Sequence, residues 1–165
     1  MTRKVLAAVA ALLGLLALLR PVTRQPKEIS PIQLAEWIRG RKPGLRVIDL
    51  RSVEQFDDFH IPRAERFDIE SLASTTFKPD ETIVLAGDDA HVFGDRQVYI
   101  LRGGLRGWFD EVMNPTITEN APPAERAAFQ RVSDVSRYFG GMPRVVDKPQ
   151  APAHAAVTTF RRRGC

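Results

Sequence analysis

Val5 to Leu19 is an unbroken apolar run, set between Arg3-Lys4 and Arg20-Pro21. Its fifteen residues would cover roughly 22 Å as a helix, against a hydrocarbon core of about 30 Å. Arg3, Lys4 and Arg20 can snorkel outward and lengthen the span. A basic start before an apolar stretch is the layout of a signal peptide or signal anchor. The run ends Ala17-Leu18-Leu19-Arg20, without the small residues a peptidase needs, so an uncleaved single-pass anchor is expected. Secretion after cleavage is the alternative. The pattern then changes. Residues 20–27, with Pro21 and Pro26, read as a linker. Ser30-Pro31 is an N-cap followed by proline at the first helical position, and Ile32, Leu34, Ala35, Trp37 and Ile38 continue a helix to Gly40. Leu45–Leu50 reads as a buried strand and Val53–Phe59 as a short helix with Phe56 and Phe59 on one face. Ala64–Phe67 is a short strand, and Asp68 caps a helix through Leu72. Thr82–Ala86 and Gln97–Leu101 are further strands, and Gly103-Gly104 precedes a short helix containing Trp108. Largely apolar strands alternating with helices indicate an α/β fold whose parallel sheet is covered on both faces.

Only nine residues, Asp88 to Arg96, separate Gly87 from Gln97, whereas a parallel crossover normally takes a dozen or more. The covering helix is expected to be shortened or absent. Beyond Pro115 a helix is predicted over 122–139, with Phe129, Val132, Val135 and Phe139 as a docking stripe. It is the candidate to cover the face that a short crossover leaves bare. The organisation expected is therefore an anchor and linker over 1–27, a domain over 28–115 and an extension over 116–165. That extension ends in a Pro- and Ala-rich stretch and Arg161-Arg162-Arg163-Gly164-Cys165.

Charge sharpens this picture. The chain has 24 Lys and Arg against 20 Asp and Glu and a pI near 9.6. Residues 28–115, however, hold 11 basic and 16 acidic side chains, so the excess basicity lies in the two ends. A nucleic-acid-binding core is excluded by that distribution. The expected partners are a membrane, through residues 5–19, and a protein of unspecified kind. The secretory layout places the domain outside the cytoplasm at a bacterial-type inner membrane. Cys165 is the one cysteine, which excludes an internal disulfide and a CxxC motif. No cofactor is expected. Asp88-Asp89-x-His91 brings three candidate ligands together, but nothing else joins them, so no metal site is expected.

Val47-Ile48-Asp49-Leu50-Arg51, Glu54-x-Phe56 and His60-Ile61-Pro62-x-Ala64 resemble the first signature of the rhodanese family. Val98-Tyr99-Ile100-Leu101-Arg102-Gly103-Gly104-x-x-x-Trp108 resembles the second. The resemblance covers residues 30–115 and implies a five-stranded parallel sheet with helices on both sides. It implies that Asp49, Arg51 and His60, with Gly103, Gly104 and Trp108, hold loops and packing together rather than react. Phe59 and Arg63 stand where the family usually has glycines, which implies tighter packing or a shifted turn.

An active rhodanese carries a cysteine after its fourth strand, in a loop whose backbone N–H groups stabilise a thiolate or persulfide. Here that strand continues Ala86-Gly87-Asp88-Asp89-Ala90-His91, with two carboxylates and no sulfur. The family mechanism is excluded in this loop, and the chain reads as a binding or scaffold module linked to sulfur or thiol metabolism. The alternative is a sulfur carrier using Cys165, whose neighbouring arginines favour the thiolate while the adjacent terminal carboxylate opposes it. Cys165 could also meet an intermolecular thiol partner in an oxidising compartment.

Overall fold

The computed structural model describes residues 27–87 and 98–147. Ser30 caps helix α1 (Pro31–Arg39): its hydroxyl accepts the amide of Gln33 at 3.2 Å, and Pro31 occupies the first turn, where no N–H partner is required. Before that cap lies a strand, β1 (Lys27–Ile29), whose first residue belongs to the expected linker. Its three residues carry one apolar side chain, Ile29, so no hydrophobic run announces it. Pairing with a neighbouring strand makes it a strand.

β2 (Leu45–Asp49), β3 (Ala64–Arg66), β4 (Thr82–Leu85) and β5 (Val98–Leu101) complete one parallel sheet in the order β1-β5-β4-β2-β3. Side chains alternate through it. Val47, Val84 and Leu101 face α1, together with helix α4 (Gly104–Trp108) and the π-helical turn Phe109–Met113 that continues it. Ile48, Ile83, Leu85 and Val98 face Leu72, on helix α3 (Ile69–Ser74), and Phe77. The sheet therefore carries helices on both faces, as the strand pattern predicts. The expected shortening of the crossover falls on residues 88–97, outside the described residues.

The capping of α3 differs from expectation. Asp68 occupies the N-cap position, but its side chain makes no cap hydrogen bond, because Arg66 holds the carboxylate instead. Helix α2 (Val53–Asp58) starts on a full capping box between Ser52 and Gln55. Phe56 and Phe59 do not share a partner: Phe56 stacks on His60, and Phe59 packs on Phe109 at 4.3 Å.

Helix α5 (Pro123–Tyr138) docks on its own domain, but not over the strands that a short crossover would leave bare. Its buried residues are Ser133, Val135 and Ser136, and it rests on α1 and the π-helical turn. Val135 thereby joins the cluster containing Val84, not the one containing Ile83. A parallel pair unannounced by the pattern, β6 (Thr116–Thr118) and β7 (Arg144–Val146), brackets α5 and ties its two ends together. Among the described residues no helix is long and apolar enough to cross a membrane. The expected anchor at 5–19 lies outside them.

Candidate functional site

In parallel sheets, ligand-handling groups gather at the carboxyl ends of the strands. Asp49 and Arg51 of the first signature and Gly103 and Gly104 of the second lie at that edge, whereas His60-Ile61-Pro62 precedes β3 at the opposite one. At the end of β2, Asp49 is 1 % exposed. Its carboxylate accepts the Arg51 amide at 3.0 Å, Arg51 Nε at 2.9 Å and Arg51 Nη2 at 2.6 Å. The same guanidinium donates to the carbonyls of Gln55, at 3.2 Å, and Phe59, at 2.7 Å. It thus closes the end of α2 onto the strand, using a planar fork that suits several acceptors at once. Arg66 Nε donates to the Arg51 carbonyl at 3.0 Å and adds β3 to the clip. The Ser52 hydroxyl and the local backbone hold the exposed Glu54 carboxyl below its usual range.

His60 is exposed, stacks flat on Phe56 at 4.1 Å, and places Nδ1 2.9 Å from the Phe56 carbonyl. The following Ile61 is fully buried, so the segment pins the chain before β3. From Ile61 to Ala64 the chain turns, with the Ala64 amide donating to the Ile61 carbonyl at 2.9 Å. Pro62 takes the second position and Arg63, at φ 68°, the third. This is the type II pattern, which favours glycine at that third position. Arg63 therefore keeps the turn that a glycine would make and bears its strain, whereas Phe59, at φ −167°, is extended and needs no glycine. Arg41 repeats the situation. It sits at φ 51° just after α1, where the Lys42 amide returns to the Trp37 carbonyl at 2.9 Å and the Arg41 amide to Ile38 at 3.1 Å. That closure normally carries glycine at the left-handed residue, but here Gly40 comes one position early, at φ −75°. Replacing Arg63 with glycine is expected to raise stability by about 1 kcal/mol, read as a higher denaturation midpoint at unchanged slope. An unchanged or lower midpoint would contradict the strain.

The second signature meets the end of β4. Gly103 and Gly104 adopt φ 67° and 55°, and a Cβ on Gly104 would stand 2.9 Å from the Ala86 carbonyl oxygen. Gly-Gly thus lets the start of α4 lie against the end of β4, at Ala86. Gly107 was missed by sequence reasoning: a Cβ there would come 2.3 Å from the Arg102 carbonyl oxygen. Its spacing from Gly103, one helical turn, was the available signal. Trp108 is fully buried and meets Phe139 edge-on at 5.2 Å, and Arg102 pairs with Glu111 at 3.0 Å.

The structure brings Gly104 against Ala86 and Asp49 against Arg51, on neighbouring parts of one edge, and leaves His60 in its own stack. Gly87 is exposed and is the last described residue of its segment. Asp88, Asp89, His91 and Cys165 lie outside the described residues. Among the described residues no group of His, Cys, Asp and Glu is placed to hold a metal ion.

No protein-family model matches the chain. It is 30% identical over 146 residues to a thiosulfate sulfurtransferase of Rattus norvegicus, covering 62% of this chain and 48% of that protein. To the thiosulfate sulfurtransferase of Cricetulus griseus it is 30% identical over 152 residues, covering 66% and 50% respectively. The chain spans about half the length of the curated relatives it matches. Among solved structures, a single-domain sulfurtransferase of Saccharomyces cerevisiae overlaps at a TM-score of 0.44 and 13% identity, over 53% of this chain and 92% of that one. The rhodanese-like domain of an Anabaena protein overlaps at 0.42 and 21% identity, over 85% and 94%. The chain is thus similar in sequence to thiosulfate sulfurtransferases, and it has the five-stranded parallel sheet with helices on both faces that the two signatures imply.

Proposed function

We propose that this is a binding or scaffold module of sulfur or thiol metabolism, tethered to a membrane by residues 5–19, with a degenerate family loop. One observation supports it above the others: Gly104 still abuts the Ala86 carbonyl where the loop departs, yet the sequence there runs Gly87-Asp88-Asp89 without a thiol. A fold kept while its nucleophile is missing is suited to binding rather than turnover. Two carboxylates in such a loop would repel thiosulfate. The apolar run flanked by Arg3-Lys4 and Arg20 supports the tether, with the domain on the periplasmic side.

A second reading is favoured by Cys165, the one thiol in a chain similar to thiosulfate sulfurtransferases. Its thiolate would attack the outer sulfur of thiosulfate, releasing sulfite and leaving a persulfide to pass to an acceptor thiol. Intact mass after incubation with thiosulfate, with Cys165→Ser alongside, separates the two. The binding-module reading predicts no added sulfur on either protein. One sulfur gained by the wild type, absent from Cys165→Ser and removed by an acceptor thiol, would replace it with the carrier reading.

A further inference from the structure

The two arginines held at positive φ, Arg41 and Arg63, are 22 residues apart in sequence yet line the same cleft. Its volume is about 580 Å³, and Ile38, Pro62, Tyr138 and Phe139 form the rest of its wall. Arg41 and Arg63 precede β2 and β3, so the cleft lies at the amino ends of the parallel strands. The family loop, following β4, leaves from the opposite edge. This site therefore does not depend on any reading of that loop.

Three features give the cleft a chemical character. No lining residue is acidic, and neither Arg41 nor Arg63 forms an ion pair among the described residues. A third guanidinium, that of Arg39, lies over the Tyr138 ring at 5.5 Å, although Arg39 does not itself line the cleft. Tyr138 is nevertheless 59% exposed, against a partly buried Phe139. Enclosed small-molecule pockets bury most of their ligand, whereas an open ledge of aromatic and guanidinium groups suits an extended chain. The basic cluster is also local, since residues 28–115 as a whole hold more acidic than basic side chains. Residues in unfavourable backbone conformations persist most often where function requires them.

We propose that this cleft binds an acidic peptide segment of a partner protein. Carboxylates would pair with Arg41 and Arg63, and an apolar or aromatic side chain would lie on Tyr138, Phe139 and Pro62. Charge complementarity selects the peptide, and the rings supply its apolar anchor.

The test is fluorescence anisotropy with the full chain in mild non-ionic detergent and a labelled peptide of glutamates flanking a Phe-Leu pair. Saturable binding is expected, weakening as salt rises. Both Arg41→Gly/Arg63→Gly, which relieves the backbone, and Arg41→Gln/Arg63→Gln, which does not, should weaken it at least about tenfold. Tyr138→Ala should weaken it several-fold, and thermal melts confirm that each variant is folded. Absence of saturable binding, wild-type affinity in both double variants, or competition by free glutamate as effective as by unlabelled peptide would overturn the proposal. So would anionic vesicles displacing the peptide while the glutamine variant retains vesicle binding.

Discussion

Arg51→Ala is expected to cost about 3–5 kcal/mol of folding free energy, the range for stripping the partner from a buried ion pair. The reason lies less in the attraction lost than in the charge left behind. Asp49 is 1 % exposed, and without the guanidinium its carboxylate keeps only the amide of residue 51 as a donor from that residue. The carbonyls of Gln55 and Phe59 lose a donor at the same time. Small domains have about 5–15 kcal/mol in hand, so this variant approaches the threshold of unfolding. Arg51→Lys should fall between wild type and alanine, because an ammonium keeps the charge but cannot span the carboxylate and two carbonyls as the fork does. Denaturant midpoints at unchanged slope measure the effect. A loss below about 1 kcal/mol for alanine would mean that the pair acts like an exposed one.

Trp108→Ala is expected to be comparably damaging, by about 3–5 kcal/mol, through the cavity it leaves. Trp108 is the largest fully buried side chain among the described residues, and it stands in the cluster shared by α1, the sheet and α5. The edge-on contact with Phe139 links it to the end of α5. The loss should therefore appear in α5 as faster amide hydrogen exchange, beyond what global destabilisation explains. Trp108→Phe is the informative companion. The indole Nε1 has no hydrogen-bond partner among the described residues, so phenylalanine forfeits volume but no hydrogen bond. It should cost roughly half as much as alanine or less. Equal costs for the two would show that the indole N–H is satisfied after all.

How far the sequence reaches depends on how deeply each element is buried. β2, β4 and β5 are legible because the sheet is covered on both faces, which writes Val47-Ile48 and Ile83-Val84-Leu85 as apolar runs. α1 is legible through Ser30-Pro31, and α5 through the spacing of its apolar positions. β1, β6 and β7 are not. Each has three residues and lies at an edge or in a two-stranded pair, so pairing partners decide its conformation rather than its own side chains. Asp68 misled for a related reason, since Arg66 competes for the carboxylate that would otherwise cap α3.

The candidate site divides in the same way. Asp49, Arg51, Gly103, Gly104 and Trp108 stand out as motif residues, but the bidentate clip and the close approach of Gly104 to Ala86 are distances, which no spacing encodes. Arg63 was visible as an oddity where glycine is usual, and its positive φ explains why glycine is usual there. The cleft it lines with Arg41 and Tyr138 joins three distant segments and had no signature at all.

The proposed binding role rests on the sequence after β4, Gly87-Asp88-Asp89-Ala90-His91, which carries no thiol. The most direct measurement is thiocyanate formation from thiosulfate and cyanide by the full chain, with Cys165→Ser measured in parallel. No turnover above the uncatalysed rate is expected in either protein. Turnover that persists in Cys165→Ser would contradict the binding role, because the loop would then be transferring sulfur without a cysteine.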